Sequence, residues 1–213
     1  MTVIKEPYVI EEYALKLPAN SHVEVPPSEI TEQLRTLLEA KEGADVAFEV
    51  QGQEFPAHKL VLAMRSPVFK ARLHGPMRDK DSNRIVIHNM QPAVLEVMLH
   101  FIYTDSLPVL DDMDKKEMTR HLLVAADEYG MERLKLMCES ILSKELDVES
   151  VVTTFALADQ HSCSGLKDAC VRFVASFAEI NDVVTSKGYN QLKRSCPGTV
   201  MEMWEKASRL RKI

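Results

Sequence analysis

The chain lacks the features that would place it in several large classes. No apolar run approaches the ~18 residues needed to cross a bilayer, so no membrane span is expected. The opening MTVIKEPYVIEEY carries acidic charge and no long apolar centre, which is not the pattern of a secretory signal. Glycine (7) and proline (10) are modest, which excludes collagen-like and low-complexity architectures. Positive charge is not in excess. Lys and Arg number 26 against 32 Asp and Glu, and the resulting net charge of −6 is the wrong sign for a surface that neutralises phosphates. The four cysteines form no close-spaced pair, and they read as free thiols of a reducing compartment rather than a disulfide framework. What is present is a globular composition, 46% hydrophobic and 27% charged over 213 residues, enough for one or two domains with a sizeable core.

The most informative stretch runs from Asp45 to Phe69. Val46, Phe48 and Val50 alternate with Ala47, Glu49 and Gln51, the pattern of a half-buried strand. Gly52 lies in a turn, and Gln53 to Phe55 return as the second strand of a hairpin. Leu60, Val61, Leu62 and Met64 then predict a short, largely buried helix. Ser66-Pro67 predicts a further helix start, the serine able to accept from unpaired amides and the proline suited to the first helical position.

Read as a motif, Asp45, Val46, Phe48, Val50, Gly52, Phe55, Ala57, His58, Lys59, Val61, Leu62, Ala63, Ser66, Pro67, Val68 and Phe69 resemble the signature of the BTB/POZ domain. The closest flavour is that of MATH-BTB proteins, the speckle-type POZ group and its plant relatives. The resemblance implies an α+β fold, a small mixed sheet flanked by helices, followed by an all-α BACK-like region. It divides the chain into a linker at 1–27, a BTB/POZ domain at 28–145, a BACK-like domain at 147–208 and a basic tail at 209–213. In that family a segment like TVIKE closes a MATH domain. The chain is therefore expected to be either a fragment or a short form lacking the substrate-binding module. Val3-Ile4 reads as a short strand, and Pro18, Pro26 and Pro27 punctuate an extended linker.

Ser28 is the expected start of the first helix, in which Ile30, Leu34, Leu37 and Leu38 make one apolar stripe, with Gly43 as a stop. Packing within its own domain would explain the stripe. The resemblance implies instead a homodimer seam formed by Ile30, Leu34, Leu37, Leu38 and Val61. Phe69 and Leu73 stand four apart on the helix that Gly75-Pro76 ends. In cullin-3-binding relatives this helix and the loop after it touch the cullin, through a hydrophobic-x-acidic motif. The resemblance therefore assigns Phe69, Leu73, Met77, Asp79 and Tyr129 to a cullin-3 contact. The helical register gives Arg72-Leu73-His74, which departs from that motif, whereas Met77-Arg78-Asp79, just downstream, fits it but in the loop.

Farther on, Arg84 to Ile87 reads as a strand. Pro92 opens a helix through Phe101-Ile102-Tyr103-Thr104, Leu107 to Asp114 is a loop with a short strand, and two more apolar stripes flank Gly130. Ala126-Asp127, Leu134-Lys135 and Cys138 recur at Ala158-Asp159, Leu166-Lys167 and Cys170, each 32 residues later. A period of that size predicts stacked helical hairpins, so Cys138 and Cys170 are expected at equivalent buried positions. Asn181 reads as a cap, Gly188 as a break and Pro197 as the start of a last helix. Its stripe contains Val200 and the single tryptophan, Trp204. That stripe is either the core of the last hairpin or a second self-association surface.

Chemistry is the weak part of the pattern. Asp45 and His58 read as structural polar residues, and no nucleophile, paired carboxylate or cofactor motif stands beside them. His161-Ser162-Cys163 is the best candidate for metal or thiol chemistry, yet it lacks the second ligand pair of a zinc site and the base and orienter of a thiol hydrolase. The expectation is a non-catalytic adaptor without cofactors, homodimeric, linking a protein substrate to cullin-3, in the nucleus or cytoplasm. Two other readings remain: a BTB oligomerisation module without cullin binding, and a short form that pairs with other BTB chains.

Overall fold

A computed structural model describes residues 26–75, 83–109, 115–176 and 180–210. Helix α1 (Ile30–Ala40) is followed by a hairpin of β1 (Val46–Val50) and β2 (Gln53–Ala57), then α2 (Lys59–Arg65) and α3 (Pro67–His74). Strand β3 (Arg84–Val86) and α4 (Pro92–Thr104) complete the first layer. Helices α5 (Lys115–Glu128), α6 (Glu132–Lys144), α7 (Val151–Gln160), α8 (Ser164–Ser176), α9 (Ile180–Thr185), α10 (Lys187–Ser195) and α11 (Pro197–Leu210) form the rest. The fold is α+β with a small mixed sheet, as the sequence predicts. The sheet order is β2-β1-β3, with β1 antiparallel to β2 and parallel to β3.

The hairpin closes through Gln51 (φ 48°) and Gly52 (φ 80°), two successive left-handed residues that match the right-handed twist of the strands. Val46, Phe48 and Val50 point into the core. Ala47 and Glu49 turn their backbone groups to the β3 side, through Ala47 N–H to Asn83 O (2.7 Å) and Ile87 N–H to Glu49 O (2.9 Å). Their β2 partners, Pro56 and Glu54, therefore face away from β1. The proline's missing N–H falls on an open edge, where it discourages a further strand.

Ser66 ends α2 and begins α3. Its backbone is extended, as the following proline requires. Its hydroxyl accepts from Phe69 N–H (3.1 Å) and donates to Tyr129 O (2.6 Å). The corner between two helices is thereby tied to the α5–α6 turn. Phe69 is fully buried, with its ring 5.2 Å from Phe48 and 4.7 Å from Tyr129, centroid to centroid.

The internal repeat appears as two hairpins, α5–α6 and α7–α8. In the first, Lys135 Nζ meets Asp127 Oδ1 at 2.6 Å, and in the second Lys167 Nζ pairs with Asp159 in the same register. Cys138 and Cys170 are both fully buried. The hairpins are joined through α6. Glu139 Oε2 accepts from Leu166 N–H (3.1 Å) at the start of α8, and His161 Nδ1 lies 2.8 Å from Asp127 Oδ2.

Several expectations need correction. The first helix begins at Ile30, not Ser28, and its left-handed cap is Lys41 rather than Gly43. Helix α2 is not largely buried: Leu62 and Ala63 face inward, while Leu60 is 77% and Met64 69% exposed. Asn181 lies inside α9 rather than capping it, and Gly188 lies inside α10 rather than breaking it. Ser186 caps α10 instead, accepting from Tyr189 N–H at 3.2 Å. Gly188 is needed for closeness, since a Cβ there would sit 2.8 Å from Glu149 O. Residues 107–109 contain no strand, and Val3-Ile4 and residues 110–114 lie outside the described residues.

Gly130 (φ 65°) packs so tightly that a Cβ would come 2.8 Å from Pro67 Cγ, whereas Gly198 in α11 has nothing within 4 Å. Gly130→Ala should therefore cost about 2–4 kcal/mol in urea unfolding. Gly198→Ala should be neutral or stabilise by up to about 1 kcal/mol. Equal effects from both would mean that the Pro67 contact is not made in solution.

Candidate interaction surfaces

Helix α1 contains no buried residue. Leu34, Leu37 and Leu38 are half-buried against the core through α4, and Ile30 is 63% exposed. A helix with an apolar stripe this open leaves part of its hydrophobic stabilisation to be gained from something else. Val61 is half-buried, with Leu60 and Met64 exposed on the outer side of the same short helix. Sequence reasoning missed those two residues. LVLAM is apolar at every position, so its composition does not say which side faces out, and only the spacing of Leu60 and Met64, four apart, groups them on one face.

The proposed cullin contact is only partly surface. Phe69 and Tyr129 are buried, at 0% and 4% exposure, so neither presents its ring to a partner. Their place is beneath the surface, fixing α3 from inside. Burial also pushes the Tyr129 hydroxyl upward from its ordinary value. Leu73 is half-buried, and Arg72 and His74 are exposed. Met77 and Asp79 lie outside the described residues. At the far end of the chain Val200 is buried, while Trp204 is half-buried with its ring 6.3 Å from that of Tyr189. Of this pair only Trp204 offers surface.

The polar residues that hinted at chemistry are occupied structurally. His58 Nε2 lies 2.7 Å from Glu42 O. A carbonyl only accepts, so the neutral ring carries its proton there, and Nδ1 accepts from the Tyr103 hydroxyl at 2.7 Å. That hydroxyl accepts in turn from His58 N–H (2.9 Å), and burial pushes it up to about 12. Asp45 is not the partner of His58; it accepts from Lys59 N–H at 2.8 Å. His161 faces Asp127 rather than Cys163, whose sulfur lies 3.6 Å from the His161 carbonyl. Burial pushes the thiols of Cys138, Cys163 and Cys170 each up to about 12, the reverse of an activated nucleophile. Among the described residues no group of three or more His, Cys, Asp or Glu is placed to hold a metal.

Carboxylates at the helix joints are held below the usual range. For Asp127 the first cause is the hydrogen bond from Lys135, followed by that from His161. For Asp105, at the end of α4, burial acts upward, but Arg65 and Arg133 outweigh it. For Asp147, before α7, burial is likewise outweighed by Lys116 and Ser150.

Comparison with known proteins bears on both halves of the chain. The BTB/POZ domain model matches residues 34–146, and the BPM/SPOP BACK domain model matches residues 150–204. The chain is 42% identical over 196 residues to BTB/POZ and MATH domain-containing protein 3 of Arabidopsis thaliana, covering 89% of this chain and 48% of that one. With protein 4 of the same series in Arabidopsis thaliana the identity is 37% over 194 residues, covering 85% and 41%. The chain thus spans about half the length of the curated relatives it matches. The solved BTB domain of human gigaxonin is 23% identical, with a TM-score of 0.45, covering 57% of this chain and 98% of that one.

Two measurements follow from these environments. Titration with an aromatic disulfide should find one fast thiol in the folded protein, Cys196, the only exposed cysteine, and all four after denaturation. A fast reaction at Cys163 would instead revive thiol chemistry. The lowered carboxylates set the acid limb of stability. Their folded values lie below their unfolded ones, so the stabilisation is complete above the unfolded value, about 4, and is lost as pH falls through the folded values. Asp127→Asn should make the urea midpoint less steep in pH between about 5 and about 3, and an unchanged slope would remove Asp127 from the acid limb.

Proposed function

The chain belongs to the BTB/POZ family, and from that premise we propose that it is a non-catalytic, homodimerising adaptor of a cullin-3 RING E3 ubiquitin ligase. It couples substrate recruitment to the cullin scaffold, in the nucleus or cytoplasm. The observation that carries this reading is the open apolar face of α1, continued by the exposed Leu60 and Met64 of α2. A stripe that its own chain leaves half uncovered is suited to a second copy. Two-fold pairing would place Ile30, Leu34, Leu37, Leu38 and Val61 against their counterparts. Such a dimer duplicates the scaffold site and the substrate site at once, so avidity rises without new contacts. Protein substrates enter through a MATH-type module like that named in the relatives. The cullin contact is built on α3, with Leu73 at its edge and Met77 and Asp79 in the segment after it.

Arg72 and His74 favour a second reading, a BTB oligomerisation module without cullin binding, because Arg72 stands at the hydrophobic and His74 at the acidic position of the family's helical motif. The two readings share the dimer and differ in the scaffold.

Light scattering of the purified chain should give a dimer, and Leu34→Asp/Leu37→Asp should give a folded monomer. A wild-type monomer at micromolar concentration would overturn the seam. Calorimetry against the cullin-3 N-terminal domain should show binding that Met77→Ala/Asp79→Ala weakens about tenfold or more. No binding by a well-folded dimer would leave only the oligomerisation module.

A further inference from the structure

Helix α3, PVFKARLH, contains two lysine or arginine residues and no acid, in a chain whose net charge is −6. Its inner side is settled by the burial of Phe69 and the partial burial of Leu73. At 100° per residue the outward crest is then Ala71, small and exposed, with Pro67 one turn before it, exposed but resting on one side against Gly130. Val68 and Arg72, four apart, run down one flank, and Lys70 and His74 run down the other, all four exposed. Arg72 stands close enough to the α5–α6 turn to act electrostatically on Tyr129, opposing Glu128. Some cations elsewhere are neutralised: exposed Arg35 and Arg133 and half-buried Arg65 and Lys206 each have a carboxylate partner. Among the described residues neither Lys70 nor Arg72 is in an ion pair.

Exposed charges on a ridge held rigidly from beneath serve recognition better than stability. A low crest lets another backbone come close, and cations on both flanks then meet whatever lines the walls of the receiving groove. We infer that α3 is the specificity element of the scaffold-binding face, a narrow cationic ridge that selects a protein partner whose docking groove is lined with carboxylates. This rests on the adaptor reading above. It accounts for the basic residues at the positions where that reading meets its main objection: Arg72 and His74 redirect binding toward an acidic partner surface rather than abolish it.

The test is calorimetry of the full chain with the cullin-3 N-terminal domain, comparing wild type with Lys70→Gln/Arg72→Gln and Lys70→Glu/Arg72→Glu at two salt concentrations. Both side chains are exposed and, among the described residues, outside any ion pair, so the variants should keep the wild-type circular dichroism and dimer mass. The affinity should fall in the order wild type, Gln pair, Glu pair, with the Glu pair weaker by at least about fivefold. Raising salt from about 0.05 M to about 0.3 M shortens the screening length roughly 2.5-fold and should weaken wild type while leaving the Gln pair nearly unchanged. Wild-type binding that is insensitive to salt and to both variants would overturn the ridge and leave the adaptor standing. Tighter binding by the Glu pair would also overturn it, since the groove would then be basic. Failure of wild type to bind at either salt concentration would overturn the adaptor reading and this inference together.

Discussion

What α3 shows to the outside is fixed by how it is held from within. The Ser66 hydroxyl has two uses at once, accepting from Phe69 N–H and donating to Tyr129 O. It sits at 1% exposure, so losing either bond would leave a buried polar group unpaired. Phe69 is wedged between the rings of Phe48 and Tyr129, each aromatic pair adding roughly 0.5–1.5 kcal/mol beyond its burial. Gly130 lets the α5–α6 turn press on Pro67 with no side chain between. Sheet, corner helix and helical hairpin are locked at one point, and the rotation of α3 is a consequence. A helix free to roll by one residue would exchange Phe69 for Lys70 at the core.

The same economy extends along the helical part. Each hairpin repeats an aspartate near the end of its first helix and a lysine in its second. The two clamps then differ in what they reach next. Asp127 of the first turns to His161 of the second hairpin, and Lys167 of the second turns to Glu202 of α11. Charge is passed from hairpin to hairpin at the layer edges, while Cys138 and Cys170 fill matching interior positions. Partly exposed pairs of this kind contribute little apiece. Their use is in register: a lysine with one aspartate behind it and one acceptor ahead fixes how the next layer is rotated. Glu139 adds a directional tie by filling the first turn of α8 from a different helix.

How much of this was legible in the sequence depended on whether the deciding force was local. The β1–β2 hairpin could be read because alternation and Gly52 are local signals. The Ser66-Pro67 start could be read because capping is chemistry within four residues. The repeat could be read because an Asp–Lys pair and a buried thiol recur in register. The failures are cases where a distant neighbour decided. Gly188 reads as a break, yet it is a helical residue kept small by Glu149 O from another helix. Asn181 resembles a cap, but it is already the second residue of α9. Leu60 and Met64 looked like core because LVLAM is apolar throughout, and only the packing of Leu62 and Ala63 against the core turns their neighbours outward. Phe69 is the instructive error: the motif places it on an interaction helix, but one helix has an inside, and the large aromatic residue took it.

The outer surface consequently carries two kinds of ground that favour two kinds of contact. The α1 and α2 face is apolar, with Ile30, Leu60 and Met64 open to water. Covering it releases water, is hardly sensitive to salt, and favours an association that persists once made. The α3 ridge is small-crested and cationic. Its attraction acts at longer range, raises the encounter rate and is lost as salt screens it, which favours a partner that exchanges. The two grounds lie on consecutive helices joined by a single residue, Ser66, so a partner seated on one must leave the other free for a ternary assembly to form. Phe69 and Leu62, both fully buried, anchor the two helices from below, and neither helix needs to move for the other to be occupied. An apolar face suited to a persistent contact thus stands beside a cationic one suited to an exchangeable contact, on a corner rigid enough to keep the two apart.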